Sequence, residues 1–452
     1  MLAIGLDVGT TSVCGIAHDI KTGEIVKSIT KANSGFIKTK NSWEKIQDPK
    51  SLIALLKDIY AELKQEGEIA SIGITGQMHG IVYLNDKGEP LSELKIWQDG
   101  RGNLEYKDGL TYAEYMTKIT GYPLATGYGA VTYFYDKING LVPKDAVTFC
   151  TIHDLASMTL SNEIKPLLHP SDAASLGLFD LKNNCYDKIA IEKLGLDYNM
   201  FPAVCDGFTL IGKTDDGIPV GVAIGDNQAS FLGSVSNMEE SLLVNVGTGS
   251  QISCLVDKIP ENSELDCRPL LDNSFILAGS SLCGGRSYAI LESFLREVAS
   301  IVSGSEIKSA YPAMDKLMEN YESVEKPLMV KTLFSGTRKN PEKRGEILHI
   351  GIDNFNMASL CDGFMCGMVN ELCDMFNEMK PLLTKNRVSM VGSGNGVRNN
   401  KPLKKRFEEI FGFKMLVPKH KEEAAFGGSL YALTAAGVFS NIAEAQKLIK
   451  YI

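Results

Sequence analysis

The chain has 452 residues, too many for one hydrophobic core of ordinary size, so its length predicts two domains. Hydrophobic residues make up 44% and charged residues 22% of the chain, which is typical of a globular α/β protein and excludes a largely disordered one. The net charge of −9 argues against a nucleic-acid partner, because binding a phosphate backbone requires concentrated lysine and arginine.

Cysteine and histidine spacing gives no indication of a metal centre. The ten cysteines include no C-x-x-C pair, and the six histidines form neither H-x-H nor H-E-x-x-H. We therefore expect reduced cysteines and no zinc site. The segment Met1–Asp7 lacks a basic region, and no later apolar run approaches the roughly 18–20 residues of a membrane-spanning helix. We expect a cytoplasmic protein without a membrane partner.

The first part of the chain predicts a strand meander, a helix and a buried strand. Three short apolar segments, Leu2–Val8, Val13–Asp19 and Glu24–Thr30, predict an antiparallel meander. Asp48 followed by proline predicts a helix start, and leucine and isoleucine then recur at helical spacing until Gly67. Residues 69–75 form a nearly continuous apolar run, the pattern of a strand covered on both faces.

A second half begins with a similar strand, turn and strand. Ser241–Val246 and Gln251–Val256 predict strands that flank the turn Gly247–Ser250. Helical patterns follow at about 286–302, 356–380, 399–411 and 422–436, with strands at 387–391 and near 413–417. The strand-turn-strand theme alone does not establish an internal repeat.

Two glycine-rich turns have the composition of phosphate-binding loops. Asp7–Ser12 places an acid at a strand end, a glycine in the turn and three hydroxyls after it. Such a turn offers backbone N–H groups and hydroxyls to a phosphate, while the acid can hold a hydrated Mg²⁺. An ordinary hairpin turn is the alternative. The similar turn Gly247–Ser250 favours phosphate binding, since two such turns can hold one polyphosphate from both sides.

Asp226 is the candidate general base. It follows the apolar run Val220–Ile224 and a glycine, and phosphoryl transfer to a hydroxyl requires a carboxylate that accepts the hydroxyl proton. The alternative is a helix N-cap, where aspartate is common. Val391–Gly396 also follows a strand and precedes a helix, but neither G-x-G-x-x-G nor G-x-x-x-x-G-K-[ST] occurs, so no Rossmann or P-loop nucleotide site is indicated.

Two further segments have the composition of a sugar pocket. Thr75–Gly80 delivers Gln, Met and His at a strand end, and Trp97–Arg101 adds an aromatic ring, an acid and a base. Together they offer hydrogen-bonding groups and an aromatic wall. The alternative is that His79 is a core histidine and Trp97 is buried.

Over essentially its full length, the chain resembles the FGGY carbohydrate kinases, the family of glycerol kinase, xylulokinase and sedoheptulokinase. The resemblance rests on the ordered motifs at residues 7–12, 225–229 and 247–250. It implies an α/β fold of two actin-like (ribonuclease H-like) ATPase domains with a central cleft. The implied domains are 1–234, with sugar pocket and base, and 235–452, with nucleotide binding. It also implies ATP and Mg²⁺, and leaves monomer or homodimer open.

The family motifs carry over onto individual residues. Asp226 becomes the base that accepts the hydroxyl proton, and Asp7 becomes the metal ligand. The adenine loop, usually G-G-G or D-G-G, is Gly392-Ser393-Gly394 here, a departure that weakens the inference for its contacts. The small-residue helix at 424–429 is interpreted as structural. The implied nucleotide-binding residues are Asp7, Gly9, Thr10, Thr11, Ser12, Gly247, Thr248, Gly249, Gly285, Gly392, Ser393, Gly394 and Asn399.

The resemblance also implies a ketose as the sugar substrate. The Q-M-H-G form at 77–80 resembles the ketose kinases, whereas glycerol kinases carry an Arg-Glu pair there. The W-Q-D-G-R form, Gln251 and the segment 281–285 resemble sedoheptulokinases more than xylulokinases, so sedoheptulose is expected and xylulose is the alternative. The implied sugar-binding residues are Gln77, Met78, His79, Trp97, Asp99, Arg101, Asp226 and Asn227.

Two interpretations from other classes compete with a sugar kinase. An actin- or Hsp70-like ATPase would share the phosphate turns, but it would lack the sugar-pocket segments and need no base for an alcohol. A sugar-responsive regulator is disfavoured by the acidic net charge.

Overall fold

The structure is a computed structural model that describes residues 1–260, 265–271, 274–319, 321–322, 324–337, 340 and 342–452. It contains two compact units, each assembled from separate stretches of the chain. The first comprises Met1–Ser236, Arg268–Phe275 and Glu422–Lys450; the second comprises Asn237–Cys267, Ile276–Lys421 and Tyr451–Ile452. The implied domain division between residues 234 and 235 stays a prediction. Among the described residues, no helix combines the length and apolar character needed to cross a membrane.

The first unit is an α/β unit built around one large sheet. Its strands are β1 Leu2–Val8, β2 Ser12–Asp19, β3 Ile25–Ala32, β4 Phe36–Ile37, β5 Ile46–Gln47, β6 Ile69–Gly76, β7 Val82–Leu84, β8 Leu94–Lys95, β9 Glu105–Lys107, β10 Leu110–Thr111, β11 Thr148–Cys150, β12 Leu167–Leu168, β13 Phe179–Asp180, β14 Cys185–Tyr186, β15 Ala203–Val204, β16 Leu210–Lys213, β17 Pro219–Gly221 and β18 Ile224–Gly225. Its helices up to residue 236 are α1 Pro49–Lys64, α2 Tyr112–Thr120, α3 Gly129–Ile138, α4 Ile152–Ser161, α5 Pro170–Leu176, α6 Lys188–Lys193 and α7 Asp226–Ser234, with 3₁₀ turns at Gly100–Asn103 and Tyr198–Met200.

The predicted meander, helix and buried strand are confirmed. β1 pairs antiparallel with β2, which pairs antiparallel with β3. Helix α1 starts because the Asp48 side chain accepts from two backbone N–H groups and proline follows it, as the sequence predicts. Its apolar stripe, Leu52, Leu56, Ile59 and Leu63, is buried in the core.

The order of the large sheet is β16-β17-β6-β1-β2-β3, with β18 also paired to β6. β1 and β18 both run parallel to β6, and the register matches Val8 and Gly225 to the same residue, Gly76. The carboxyl ends of these three strands therefore lie side by side. In α/β proteins this edge of a sheet is where ligands commonly bind.

The second unit begins with β19 Ser241–Val246. Its later strands are β20 Ser250–Val256, β21 Asp266–Pro269 (shared with the first unit), β22 Phe275–Ser281, β23 Met329–Lys331, β24 Glu346–Leu348, β25 Ser389–Ser393 and β26 Met415–Leu416. Its helices are α8 Gly284–Ser303, α9 Tyr311–Met318, α10 Met357–Met379, α11 Asn395–Arg398 and α12 Lys401–Phe411, with a 3₁₀ turn at Lys380–Leu382. Its central sheet runs β22-β20-β19-β25-β26, and β19 is parallel to β25.

Two late helices, α13 Glu423–Ala435 and α14 Ile442–Gln446, belong to the first unit. α13 packs against β1, β6 and α7 with no room for intervening side chains. A Cβ added at Gly5 would overlap the carbonyl of Ala425, and one added at Gly73 would overlap that of Gly428. The small residues of this helix therefore permit close backbone packing, in agreement with the structural interpretation of residues 424–429.

Candidate functional site

Two carboxylates stand at the shared edge of β1, β6 and β18. Asp7 is the penultimate residue of β1 and lies in register with Thr75 of β6. Asp226 directly follows β18 and is the first residue of α7. The N-cap of that helix is Gly225, with no side-chain cap hydrogen bond. The N-cap interpretation of Asp226 is therefore wrong, and its carboxylate is left for another role.

Burial raises the pKa of both carboxyl groups. Burial raises the pKa of Asp7 to about 7, and the nearby negative charges of Asp226 and Glu422 add to this, while His153 opposes it. Burial also raises the pKa of Asp226, against the lowering effect of His153 and Arg268. Both side chains keep partial contact with solvent. The edge thus holds poorly hydrated carboxylates that would be stabilised by a cation or a proton.

Thr10, at the centre of the first predicted phosphate turn, is a junction of side-chain hydrogen bonds. Its hydroxyl donates to Gln77 Oε1 (3.1 Å) and accepts from Trp97 Nε1 (3.0 Å). Its carbonyl accepts from the side-chain amides of Asn33 and Gln47, both at 2.9 Å. This network brings two of the predicted sugar-binding residues to the predicted phosphate turn.

The loop after β6 places Met78 beside the candidate base. Asn227 Nδ2 lies 2.9 Å from Asp226 Oδ1 and 3.7 Å from Met78 Sδ. The Met78 side chain is almost fully buried. Three predicted substrate residues, Met78, Asp226 and Asn227, are therefore in one contact group.

His79 is held in a defined orientation by α3 and α5. Its backbone has a positive φ of 73°, which is uncommon outside glycine. Its ring stacks on Tyr128, with centroids 4.6 Å apart and planes 11° from parallel. Nδ1 lies 2.7 Å from the carbonyl oxygen of Ser175, so Nδ1 carries a proton and donates it. A neutral His79 therefore has its lone pair on Nε2.

Trp97, Asp99 and Arg101 have different environments. Trp97 is 46% exposed, so the alternative that it is a buried core residue is wrong. Asp99 and Arg101 are buried and paired, with Arg101 Nε 2.7 Å from Asp99 Oδ1. Arg101 Nη1 also lies 2.5 Å from Asp136 Oδ1. The Asp99–Arg101 pair stabilises the turn after Trp97, and its direct contact with a sugar stays a prediction.

A fully buried group of His153, Asp154 and Asp172 lies behind this edge. His153 Nε2 is 2.9 Å from Asp172 Oδ1. Burial alone would lower the pKa of His153, but Asp172 raises it to about 9. Asp154 caps α4 through Thr151. A Cβ at Gly76 would meet the Cβ of His153 at 3.0 Å, so His153 packs against the end of β6.

In the second unit, the predicted turn Gly247–Gly249 joins β19 to β20. It is held by backbone contacts with the start of α8. The N–H groups of Gly285 and Arg286 donate to the carbonyls of Gly247 and Thr248, both at 3.0 Å. A Cβ at Gly285 would lie 2.5 Å from the oxygen of Gly247. Glycine is therefore required for this close approach.

The predicted adenine loop ends β25, next to the same turn. Asn245 on β19 donates to Ser393 Oγ at 3.0 Å, and the two residues are in register. Gly394 caps α11 with a φ of 83°. Gly392 is buried, and Asn399 is the exposed residue at the end of α11.

A cavity of about 410 Å³ opens beside Asn399. Its wall combines apolar and aromatic groups with both acidic and basic side chains. The lining residues are Asp315, Met318, Glu319, Tyr321, Asn399, Lys401, Pro402, Lys405 and Arg406.

Several residues of the first site have no signal in the sequence. Gln47, Tyr128, His153, Asp172 and Arg268 reach the site from separate segments, and none lies in a recognisable motif. The T-x-x-D spacing of Thr151 and Asp154 does predict a helix start, but not the neighbouring ion pair.

The comparisons with known proteins agree with this arrangement. The sequence pattern described as "FGGY family of carbohydrate kinases, N-terminal domain" matches residues 2–233. The mouse (Mus musculus) sedoheptulokinase is 24% identical over 478 aligned positions, covering 96% of this chain and 97% of the relative. The glycerol kinase of Aquifex aeolicus is 25% identical, covering 99% of this chain and 91% of the relative.

The fold is also found in solved structures. The ligand-bound xylulose kinase from Lactobacillus acidophilus superposes with a TM-score of 0.82 at 20% identity, covering 100% of this chain and 92% of that structure. The implied fold class, α/β with two actin-like ATPase domains, is thereby confirmed. Since the family pattern covers more than half of its length, the chain belongs to the FGGY family of carbohydrate kinases and is an ATP-dependent phosphotransferase with an alcohol group as acceptor.

Proposed function

We propose that the enzyme phosphorylates a ketose at its terminal hydroxyl, converting sedoheptulose to sedoheptulose 7-phosphate. The observation that carries this proposal is the contact group of Asp226, Asn227 and Met78, which joins a carboxylate free of any capping role to the Q-M-H-G segment. The match to a sedoheptulokinase extends over nearly the full length of both proteins, which supports the choice of sugar.

In the proposed mechanism, Asp226 accepts the proton of the attacking hydroxyl as the bond to phosphorus forms. Its raised pKa suits this role, because a carboxylate that burial has destabilised binds a proton more strongly than an exposed one. Asn227, which donates to Asp226 Oδ1, orients the carboxylate.

His79 and Trp97 would contact the sugar. The tautomer fixed by Ser175 gives His79 an acceptor at Nε2 for a sugar hydroxyl. The half-exposed Trp97 ring, anchored through Nε1 to Thr10, would provide an apolar wall.

The residues at the strand edge also fit Mg²⁺. Asp7 is a carboxylate whose pKa is raised by burial and by two further negative charges, and carboxylate oxygens are the ligands that Mg²⁺ prefers. We propose Asp7 as the metal-holding residue. When bound there, Mg²⁺ would neutralise phosphate charge.

Each unit carries one of the predicted phosphate turns. We propose that Gly9–Ser12 in the first unit and Gly247–Gly249 in the second are phosphate-binding turns that act through N–H groups and hydroxyls. The adenine would enter the cavity lined by Tyr321, Met318 and Asn399, and Lys401 and Lys405 of the same wall would attract the negatively charged phosphates of the nucleotide.

Xylulose is the second candidate substrate. The Q-M-H-G segment favours ketoses in general and does not report the length of the sugar. Xylulose is shorter than sedoheptulose by two hydroxymethylene groups, each of which changes binding only modestly. The glycerol kinase match lends less support to glycerol, because the segment that carries an Arg-Glu pair in glycerol kinases is different here.

A phosphorylation screen tests the proposal. Purified enzyme with ATP and Mg²⁺ would be assayed with sedoheptulose, xylulose, ribulose, other ketoses and glycerol, and kcat/KM compared. We expect sedoheptulose to give the highest value. ATP hydrolysis that no sugar stimulates would instead support an actin- or Hsp70-like ATPase. A kcat/KM about tenfold higher for xylulose than for sedoheptulose would make xylulose the substrate in place of sedoheptulose.

A further inference from the structure

Helix α5 contacts the residue that precedes the candidate base, and it also contacts the candidate sugar-binding loop. It has seven residues, Pro170–Leu176, and all but one of them are buried. Nothing in its sequence resembles a catalytic motif. Its polar side chains are nevertheless directed towards the carboxyl edge of the large sheet, where Asp226 and His79 lie.

At its start, Ser171 anchors the residue before the base. The backbone N–H of Gly225 donates to Ser171 Oγ at 3.0 Å. Ser171 Oγ lies 2.8 Å from His169 Nδ1, which also accepts from the backbone N–H of Ser171. That nitrogen therefore carries no proton, and the serine hydroxyl donates to it. Burial lowers the pKa of His169 to about 3, so the ring stays neutral.

The result is a directional chain of buried hydrogen bonds. It runs from the Gly225 N–H through the Ser171 hydroxyl to the His169 ring. Every donor in the chain has an acceptor, and the Ser171 oxygen has a fixed orientation because its proton is committed. Asp226 follows Gly225 directly, so this chain fixes the backbone from which the carboxylate projects.

At the other end of α5, Ser175 holds the sugar-binding loop. The Ser175 hydroxyl donates to the carbonyl of Asp172 at 2.8 Å and accepts from the backbone N–H of His79 at 3.2 Å. The Ser175 carbonyl accepts from His79 Nδ1. One serine thus fixes both the backbone and the ring of His79, at a residue whose positive φ would otherwise be disfavoured.

Between these two serines, Asp172 ties α5 to the sheet. Its Oδ1 lies 2.9 Å from His153 Nε2, and His153 in turn packs through its Cβ against Gly76, the residue that is in register with both Val8 and Gly225. The helix is therefore attached at three points to the edge that carries the site. It cannot shift at one end without displacing the other.

We propose that Ser171 and Ser175 are positioning residues that set the distance between the general base and the sugar hydroxyl, with α5 as the rigid link. Ser171 acts on Asp226 through Gly225, and Ser175 acts on the sugar through His79. The inference rests on the proposed roles of Asp226 and His79. It adds two residues that no motif contains, and it assigns Ser171 to the base and Ser175 to the sugar.

The test uses three serine variants and one rescue. Ser171→Ala should lower kcat about 10- to 100-fold with the sugar KM within about twofold, because a displaced base slows the chemical step. Ser175→Ala should raise the sugar KM about tenfold with a smaller change in kcat. Ser171→Thr keeps the hydroxyl and should restore kcat to within about threefold of wild type.

Ser157→Ala is the matched control. Ser157 is buried in the neighbouring helix α4 and donates to the carbonyl of Asp154 at 2.9 Å, the same bond that Ser175 makes. Its removal should leave kcat and KM within about twofold of wild type. Equal losses in Ser157→Ala and Ser171→Ala would reduce the effect to general destabilisation and overturn the inference.

Hydrogen exchange of the free protein provides a readout independent of the substrate. Peptides covering residues 222–228 should exchange faster in Ser171→Ala, and those covering 76–80 faster in Ser175→Ala, with neither changed in Ser157→Ala. Unchanged exchange in both peptides would refute the positioning role. Failure of the proposed function is distinct: it would appear as an Asp226→Asn variant with near-normal activity, while the exchange pattern persists.

Discussion

The two predicted phosphate turns are stabilised in different ways. The turn at residues 9–12 is held by side-chain hydrogen bonds that join Thr10 to Asn33, Gln47, Gln77 and Trp97, and by one backbone bond from the Asn33 N–H to the Thr11 carbonyl. The turn at 247–250 is held by backbone hydrogen bonds to the start of α8, with glycines where the chains meet. The first turn is therefore coupled to the residues of the proposed sugar pocket, and the second to the framework of its own unit.

This difference teaches how a kinase can separate its two substrates. A turn fixed by side chains can transmit a change in the sugar pocket, because the hydroxyl of Thr10 is hydrogen-bonded to the pocket residues Gln77 and Trp97. Among the described residues, the turn that is fixed by backbone hydrogen bonds to α8 has no such connection to a pocket residue. We therefore expect substitutions in the first unit to affect sugar kinetics and those at the second turn to affect nucleotide kinetics.

Among the variants that test this comparison, Asp226→Asn should have the largest effect. Loss of the base should lower kcat roughly 10²–10⁴-fold, while the nucleotide Kd measured by calorimetry stays within about twofold. Asp58→Asn, on the exposed side of α1, is the control and should be silent. An Asp226→Asn enzyme that turns over normally would eliminate the proposed mechanism.

The next largest effect is expected for Gly285→Ala. The added Cβ would lie 2.5 Å from the oxygen of Gly247, so the second turn must move. The KM for ATP should rise about tenfold, with the sugar KM little changed. Gly67→Ala, whose Cβ would meet only Leu2 at 3.5 Å, is the matched control. A selective rise in sugar KM would contradict the assignment of this turn to nucleotide.

Thr10→Val sharpens the comparison by removing the hydroxyl between Gln77 and Trp97 while keeping the side-chain shape. Loss of about 1 kcal/mol per hydrogen bond should raise the sugar KM about fivefold or more. The corresponding change in the second turn, Thr248→Val, should leave the sugar KM unaltered. Steady-state kinetics with both substrates varied would check the pair, and equal effects would remove the proposed distinction.

The smallest expected effect is a shift in pH dependence. Arg268 lowers the pKa of Asp226, so Arg268→Gln should raise it further. The base works when deprotonated, and the acid limb of the kcat/KM profile should therefore move to higher pH. Arg344→Gln, an exposed arginine, should leave the profile unchanged. A shift to lower pH would contradict the assigned base.

Much of the fold could be predicted because its signals are local. β1, β6 and α1 follow from apolar runs and a helix cap, and Asp226 was identifiable as an acid after a buried run. The ring stack of His79 on Tyr128 and the His153–Asp172 pair could not be predicted. Each joins residues from different elements, and hydrophobic periodicity contains no information about which elements meet.

The nucleotide-loop residues show the same limit. Gly394 could be recognised as a glycine before a helix, but the cavity beside Asn399 is built by the adjacent helix α12 together with α9, which lies about 80 residues earlier in the chain. The small residues of α13 predicted close packing, yet nothing in them indicated that the partners would be strands β1 and β6, more than 300 residues earlier.

That packing has a consequence for biosynthesis. At a translation rate of about 5–20 residues per second, β1 and β6 leave the ribosome tens of seconds before α13 exists. Until then, one face of their sheet lacks the helix that covers Gly5 and Gly73. The nascent first unit must therefore remain incomplete, and exposed to chaperones, until almost the entire polypeptide has been made.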